Sequence, residues 1–578
     1  MGNGYKCAMR TASMISRVLL TFALIIFASA ATGEDFYVTQ SGAGTGDGLS
    51  LGNAWSVANL NTSGNWGVGV GKVSAGDRVR LNGTLTTAIT VAGSGTEGSP
   101  VTIYFESGAT MSKALWASTG AIAINGQSYI TIDAAVPSAV HIENTANGTA
   151  GTYANTAQSC GIDGTYGADL VILNTTITNI YRRVAFDDDD PAAHLRNNCI
   201  NVSGNGLVVS NCNLSEAVGP VSYSGPSSGN WSNVFIVNNR IFNCNHSITI
   251  GLGDSGSQLR NVHIRGNIMD GWSVWDNTDN SFHMDGNIIF NNSTDDSSIL
   301  VDLYIGQNAF GASVTGTTPT SATGAIVFYL GGRRQLMNSF IWSNTFRSGV
   351  VGWGNGAINS FGSNHWGYCN TSLDDAGGLT FTGTNGYFYN NILSTNAGVN
   401  LNGLCKTNAS ALNNATNNQA HLATYLGRIY SDYNILPDDQ SGVTRFSVSA
   451  QLTMQGLTIW GPLTFSSIYG WQTYNNNSIG MDNPVWNLSH ADPNSTTNLP
   501  AFVVGTLRPA TQVAGTNLTT ALQAVSGYIP ELLLDYDGTQ RSASGDWTKG
   551  AFEYVEASPP AGEGPAGTRQ SPLSFRFE

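Results

Sequence analysis

The chain has 578 residues and a formal net charge of −14, and only 11% of its residues are charged. This acidic balance argues against a nucleic-acid-binding protein, because neutralising phosphates requires clustered Lys and Arg side chains. The 69 glycines, the abundance of Asn, Ser and Thr and the scarcity of helical periodicity favour an all-β fold with many turns.

The N-terminus has the features of a secretory signal peptide. Arg10 and Arg17 precede an apolar run over residues 18–27, and residues 28–31 read Ala-Ser-Ala-Ala. These are a charged region, an apolar region of signal-peptide length and a small-residue cleavage site. The apolar run is short for a stable membrane anchor, although an uncleaved anchor is the alternative. Cleavage of residues 1–31 would give a secreted, periplasmic or cell-surface protein with no membrane span.

The segments before the repeats are predicted to close one end of a solenoid. Residues 32–120 contain short strands separated by Gly-rich turns, and we interpret them as an N-terminal cap and first coils. Such a cap is needed because an open solenoid end would expose unpaired strand edges.

One short phrase then recurs between residues 121 and 436: an apolar pair, Asn and another apolar residue. The copies that define the phrase are 171–177, 208–214, 235–241, 262–268 and 282–288. They recur at intervals of roughly 20–40 residues, which is typical of stacked supersecondary units. Strand alternation directs every second side chain inward, and Asn tolerates left-handed backbone angles at corners. Stacked Asn side chains can also hydrogen-bond from one rung to the next.

The C-terminal part loses this phrase. Residues 437–556 are predicted to form an irregular extension with closing strands. Residues 557–578 are rich in Pro, Gly and Ser, and we predict a disordered tail there.

Several motifs carry a resemblance to a known family. They are FYVTQSGAGTGDG (36–48), AGDRVRL (75–81), SGTEGSPVTI (94–103) and the ending DYDG…R…GAFEY (535–554). Together with the Asn-containing rungs, they resemble the secreted right-handed parallel β-helix proteins of the pectate-lyase-like superfamily, over roughly residues 36–555. The resemblance implies an all-β, right-handed parallel β-helix. It does not imply one reaction, because members include lyases, glycoside hydrolases, epimerases, tailspikes and adhesins.

The sharpest cluster of chemical groups lies in the fourth and fifth phrases and the strand after them. Alternation directs His263 and Arg265 out of the coil, and the same parity applies to His283, Asp285 and Asp302. If successive phrases align at roughly 4.8 Å, His263 stacks on His283 and Arg265 on Asp285. Glycoside hydrolysis requires two carboxyl groups about 5–9.5 Å apart, and a neighbouring His can assist proton transfer. These five residues are predicted to be catalytic; the alternative is a solvated polar ladder.

A second set of residues is predicted to bind substrate. Trp272, Trp275, Asp276 and Asp279 lie on the loop beside the candidate centre, where the indole rings can stack on sugar faces. Arg333 follows a Gly-Gly pair after a strand and is expected at the edge of the binding groove.

No cofactor is required by these residues, and calcium is the one candidate metal. Residues 187–190 are four consecutive Asp residues, which can supply oxygen ligands to calcium. The run lacks the alternating spacing of a defined calcium loop, so a solvated loop is the alternative. The cysteines show no zinc-binding spacing, and sequence does not define their pairing or the oligomeric state.

The predicted function is that of a secreted, glycoside-hydrolase-like enzyme whose partner is an extracellular polysaccharide bound along the outer face of the coil. The first alternative is a polysaccharide lyase acting by β-elimination on uronate glycans. The scarcity of Lys in the rungs and the negative net charge disfavour the lyase. The second alternative is a non-catalytic carbohydrate-binding or adhesion protein.

Overall fold

The computed structural model of this chain contains a coil of parallel strands. The residues that the structure describes are 33–146, 148–149, 152–153, 158–180, 197–226, 228–244, 246–253, 256–272, 283–284, 288–291, 298–310, 321–322, 326–329, 335–346, 351–352, 363–372, 379–380, 384–392, 399–400, 429–434, 446–448, 453–454, 457–458, 463–465, 494–496, 500–503 and 508–554.

Three long sheets form the walls of the coil, here called sheets I, II and III. The chain passes through the three sheets in turn and then returns to pair with its own preceding strand in sheet I. Ile172 pairs in parallel with Val209, and Val209 pairs with Ile236, so each rung lies on the one before it. This arrangement is a right-handed parallel β-helix, and it confirms the predicted fold class.

Sheet I has 14 strands, in the spatial order Trp55–Ser56, Asp35–Thr39, Arg78–Leu81, Val101–Phe105, Ile130–Ala134, Leu170–Leu173, Leu207–Ser210, Asn230–Val237, Gln258–Arg265, Ile299–Gly306, Gln335–Trp342, Ser363–Tyr368, Thr384–Tyr389 and Ile429–Asp432. Sheet II has 10 strands: Thr84–Leu85, Thr110–Lys113, Ile142–Asn144, Thr176–Thr178, Asn213–Ala217, Arg240–Cys244, Ile268–Trp272, Ala309–Phe310, Thr345–Phe346 and Thr371–Ser372. Sheet III has 13 strands: Ile89–Thr90, Ile122–Ala123, Ser159–Gly164, Asn197–Ser203, Val221–Ser224, Ile248–Gly251, Ile288–Asn291, Ile326–Tyr329, Val351–Gly352, Leu379–Thr380, Val399–Asn400, Phe446–Val448 and Leu463–Phe465.

The remaining described elements are short. Two-stranded sheets pair Gly148–Thr149 with Thr152–Tyr153, His283–Met284 with Ser321–Ala322, and Thr453–Met454 with Leu457–Thr458. The α-helices are Val57–Leu60 and Thr519–Gln523, and the 3-10 helices are Leu51–Asn53, Ser63–Asn65 and Pro530–Leu533.

The interior of the coil is filled by columns of inward-facing apolar side chains. One column on sheet I contains Ile132, Ile172, Val209, Ile236 and Ile264, all of which have no exposed surface. Each such side chain contributes about 1.5–3 kcal/mol by leaving water. The strand alternation read from the sequence therefore describes the interior correctly.

Asparagine has the two predicted roles at the turns that follow the sheet I strands. Asn174, Asn211 and Asn238 have positive φ angles of 54°, 55° and 57°. A separate ladder of stacked, buried amides follows, in which each Nδ2 donates to the Oδ1 of the next residue at 3.0 or 3.1 Å. Its members are Asn239, Asn267, Asn308, Asn344, Asn370, Asn391 and Asn434.

The predicted alignment of the fourth and fifth phrases is wrong. The strand that follows Gln258–Arg265 in sheet I is Ile299–Gly306, and it places Tyr304, not His283, beside His263. His283–Met284 belongs to a separate two-stranded sheet, and Ile288 pairs with Ile248 in sheet III. An apolar-Asn-apolar phrase fits any half-buried strand, so the pattern did not distinguish the sheets.

Residues 508–554, here called the C-terminal strap, cover the outer face of sheet I from the strand Ile299–Gly306 onward. An apolar cluster joins strap residues to outward-facing sheet residues that strand alternation alone would leave exposed. Its buried members are Tyr304, Phe340, Trp342, Trp366, Tyr368, Cys369, Leu518, Leu522, Leu532, Leu533 and Trp547.

The ending motif DYDG…R…GAFEY holds the strap together. The buried Arg541 guanidinium donates to Glu553 Oε2 at 2.8 Å and to the carbonyl oxygens of Thr548 at 3.1 Å and Gly550 at 3.1 Å. The Asp535 carboxylate accepts from the backbone N–H of Glu553 at 2.8 Å. The ending motif that resembles the family therefore forms a structural clamp, which holds the strap together.

Candidate functional site

Three of the predicted catalytic residues lie together on sheet I. His263 and Arg265 are on the strand Gln258–Arg265, and Asp302 is on its neighbour Ile299–Gly306. His283 is in the separate two-stranded sheet, and Trp272 ends a strand of sheet II. Asp276, Asp279, Asp285, Trp275 and Arg333, together with the acidic run 187–190, lie outside the described residues, so their roles stay predictions.

His263 is the second ring in a column of stacked side chains on the outer face of sheet I. Its imidazole lies 4.6 Å from the ring of Phe235 and 4.4 Å from the ring of Tyr304, at interplanar angles of 17° and 22°. Only 5% of His263 is exposed. The residue points outward, as alternation predicted, but its two neighbours cover both faces of the ring.

Burial determines the protonation state of His263. Burial and, to a smaller extent, the positive charge of Arg265 together lower the pKa of the imidazole to about 3. The ring is therefore neutral at neutral pH. Because an efficient general acid or base has a pKa near the working pH, this imidazole is better suited to hydrogen bonding than to proton relay.

Asp302 interrupts a second, more exposed ladder. Asn233, Asn261, Asn338 and Asn364 share its positive φ angle, at 55–66°, at the equivalent position of neighbouring sheet I strands. Asn364 Nδ2 donates to Asn338 Oδ1 at 3.1 Å, Asn338 Nδ2 to Asp302 Oδ1 at 2.9 Å, and Asn261 Nδ2 to Asn233 Oδ1 at 2.8 Å.

The link between Asp302 and Asn261 is missing, because Asp302 lacks the amide Nδ2 group that donates at the other positions of the ladder. Instead, His263 Nε2 lies 2.6 Å from Asn261 Oδ1 and takes the place of the missing donor. Since Asn261 Oδ1 is an acceptor, His263 carries its hydrogen on Nε2. The Asp302 and His263 pair thus replaces one rung of a regular amide ladder.

The strap completes this region with Glu531 and Gly527. Arg265 Nη1 lies 3.3 Å from Glu531 Oε1, and the two side chains are 19% and 39% exposed. Tyr304 Oη donates to the carbonyl oxygen of Gly527 at 2.6 Å. Asp302, Glu531 and Arg265 all act electrostatically on the Tyr304 hydroxyl, and burial is the largest cause of its raised pKa.

Two buried polar atoms in this cluster have no hydrogen-bond partner among the described residues. They are Nδ1 of His263 and Nε of Arg265. With the hydrogen on Nε2, His263 Nδ1 is an acceptor, whereas Arg265 Nε is a donor. Each unpaired buried group costs about 1–3 kcal/mol. The break in the asparagine ladder therefore coincides with two polar atoms that are unpaired and shielded from solvent.

Sequence reasoning missed two members of this cluster. Tyr304 belongs to the same strand as Asp302, and correct rung alignment would have placed it beside His263. Glu531 has no local signal, since it lies between apolar residues of a segment that loses the repeat pattern.

Among the described residues, no group of three or more His, Cys, Asp or Glu side chains is placed to hold a metal ion. Within the described ranges, no helix is both long enough and apolar enough to cross a membrane.

Three long sheets, stacked asparagines and a covering strap define the chain as a right-handed parallel β-helix protein. The described strands of these sheets pair in parallel, except for Phe446–Val448 and Leu463–Phe465 at the end of sheet III, which are antiparallel. Comparison with solved structures finds a similarity to the crystal structure of pectate lyase Pel9A, with 13% sequence identity and a TM-score of 0.24 over 64% of this chain and 78% of the lyase chain. No protein-family model matches the chain. No curated protein sequence matches it either.

Proposed function

We propose that this protein is a secreted enzyme that binds an extracellular polysaccharide along the outer face of sheet I and hydrolyses it beside Asp302. The observation that carries the proposal is the replacement of one amide by Asp302 in an otherwise regular asparagine ladder. Local rules are broken most often at functional sites, where stability is exchanged for chemistry. The break coincides with the two unpaired polar atoms of His263 and Arg265.

The shape of the surface supports a polymeric ligand. The strap covers the outer face from Tyr304 onward, whereas Phe235 and Val208 on preceding rungs are only half buried. Asp302 therefore lies where an open, extended face meets the covered one. An extended glycan can lie along the open rungs, with Phe235 offering an aromatic contact and the cluster at its end offering hydrogen bonds.

The chemistry required of Asp302 is proton transfer at a glycosidic bond. In hydrolysis, one carboxylic acid protonates the glycosidic oxygen as the C1–O bond breaks, and one carboxylate removes a proton from the water that bonds to C1. We assign one of these two steps to Asp302.

A panel of soluble neutral and uronate-containing glycans tests this function. The mature chain is expected to generate new reducing ends without the ultraviolet absorbance of an unsaturated uronate. That absorbance would instead show β-elimination and would overturn hydrolysis. Binding to a glycan without cleavage would overturn the enzyme and leave a carbohydrate-binding or adhesion protein.

A matched pair of variants tests the site. Asp302→Asn is expected to lower the cleavage rate by about 10²–10⁴-fold. Asp133→Asn is the control, because Asp133 is also on sheet I and accepts from an asparagine of the next rung, Asn174 Nδ2, at 2.8 Å. Equal activity of the two variants would remove Asp302 from the mechanism.

A further inference from the structure

We propose that Glu531 of the C-terminal strap is the second carboxylate of the hydrolytic pair, so that the strap completes the active centre. This inference rests on the proposed hydrolysis and adds a residue that comes from outside the coil. Hydrolysis needs two carboxyl groups, and the rungs supply only one described carboxylate at this cluster, Asp302.

The strap lies so close to Asp302 at Gly527 that a side chain there would collide with the Asp302 carboxylate. Gly527 has a φ angle of +84°, and a Cβ atom built on it would lie 2.8 Å from Asp302 Oδ1 and 3.2 Å from Tyr304 Oη. Tyr304 holds the Gly527 carbonyl at 2.6 Å. This segment leads within four residues to Glu531, so the position of Glu531 is fixed relative to Asp302 by contacts on both sides.

Glu531 is accessible and oriented. It is the one acidic residue in the first turn of the 3-10 helix Pro530–Leu533, whose Leu532 and Leu533 are buried against sheet I. Those anchors direct the carboxylate toward Arg265, 3.3 Å away, and leave 39% of the side chain exposed. Arg265 pairs with Glu531, and Glu531 and Asp302 both act electrostatically on the Tyr304 hydroxyl.

The two carboxyl groups have complementary tasks. One donates its proton to the glycosidic oxygen as the C1–O bond breaks, and the other accepts a proton from the attacking water, whose oxygen bonds to C1. One water molecule is consumed, and proton exchange with solvent restores both groups. Arg265 and Tyr304 act as positioning residues, since they hold the strap against the sheet.

The pH profile of hydrolysis separates catalysis from positioning. The wild-type chain is expected to show a bell-shaped dependence of kcat/KM on pH, with one limb for the base and one for the acid. Asp302→Asn should abolish one limb and Glu531→Gln the other, each with a loss of about 10²–10⁴-fold. Asp537→Asn is the matched control, because Asp537 is a strap carboxylate that also pairs with an arginine, Arg508.

Three outcomes are distinguishable. Loss of one limb in Glu531→Gln supports the proposal if the midpoint of thermal unfolding of this variant is at or above that of Asp537→Asn. Retention of both limbs in Glu531→Gln at reduced rate, or rates equal to those of Asp537→Asn, overturns it and leaves Asp302 in place. If Glu531→Gln unfolds, Glu531→Asp supplies the test, because a shorter carboxylate must keep both limbs at a lower rate. Failure of the wild-type chain to hydrolyse any glycan overturns the proposed function itself.

Discussion

Tyr304 donates a 2.6 Å hydrogen bond to the carbonyl oxygen of Gly527, a residue 223 positions later in the chain. This bond joins the ring column of sheet I to the strap at the point where Asp302 also meets Gly527. The candidate site therefore depends on two parts of the chain that are remote in sequence.

Replacing Asp302 by Asn should stabilise the protein while it removes activity. An amide at this position can donate to Asn261 Oδ1 and restore the ladder, which adds about 1 kcal/mol to the free energy of unfolding. Urea unfolding of wild type and Asp302→Asn measures the change. Asn338→Asp should destabilise, because it removes the donor to Asp302 and places a second negative charge beside it. A less stable Asp302→Asn would contradict the ladder argument.

Substitutions in the buried asparagine ladder should destabilise the protein far more than substitutions of exposed asparagines. Asn308 Oδ1 accepts from N and Nδ2 of Asn267, and its Nδ2 donates to Ile264 O and Asn344 Oδ1. Asn308→Ala leaves several buried groups unpaired, at about 1–3 kcal/mol for each. We expect a loss of roughly 3–5 kcal/mol in urea unfolding.

Asn211→Gly is the control variant for Asn308→Ala in the urea-unfolding experiment. Asn211 is exposed, has a φ angle of 55° and donates to Asn174 Oδ1. Glycine tolerates this angle, so the variant removes only an exposed hydrogen bond and should cost less than about 1 kcal/mol. Similar losses for the two variants would argue against a special role of the buried ladder.

His263 should make stability depend on pH. Its pKa falls from 6.5 in the unfolded chain to about 3 in the fold, so between these values only the unfolded chain binds the proton. Stability is therefore lost as the pH falls, by about 2 kcal/mol between pH 7 and pH 5 for this residue. Phe fits between Phe235 and Tyr304, and His263→Phe should reduce the pH 7 to pH 5 difference by that amount.

Urea unfolding at the two pH values checks this prediction. Tyr304→Phe, in the next position of the same column, should leave the difference unchanged. Burial raises the pKa of the Tyr304 phenol, so this group does not titrate between pH 5 and pH 7. His141 and His365 have pKa values lowered to about 4 and about 3, so part of the acid sensitivity will persist in His263→Phe. An undiminished difference in that variant would show that His263 is not held neutral.

Breaking the motif clamp should release the strap before the coil unfolds. Arg541→Met leaves the buried Glu553 carboxylate without its ion pair, at a cost of about 3–5 kcal/mol. Exposure of Trp342, Trp366 and Trp547 should shift tryptophan emission to longer wavelength. Arg508→Met is the control, since Arg508 pairs with Asp537 near the surface and should cost less than about 1 kcal/mol. Unchanged emission in Arg541→Met would contradict the clamp.

Much of the coil could be read from local patterns. The inward positions of Ile172, Val209 and Ile236 follow from strand alternation, and the left-handed corners at Asn174, Asn211 and Asn238 follow from the conformational tolerance of Asn. Rung order was less predictable. The phrase at 282–288 has the same residue pattern as a true sheet I rung, yet Ile288 belongs to sheet III.

The candidate site was predictable only in part. Alternation placed His263 and Arg265 on the outer face, but no local pattern could show that Phe235 and Tyr304 would enclose the imidazole. Glu531 could not be assigned because its partner, Arg265, is brought to it only by the return of the chain over the sheet.

The sequence by itself determined the coil, because its periodic apolar residues and Asn corners act through neighbours a few positions away. The tertiary structure decided which rungs lie together and which outward groups meet the strap. Those contacts depend on loop lengths and on a covering segment hundreds of residues distant, and no short-range preference encodes them.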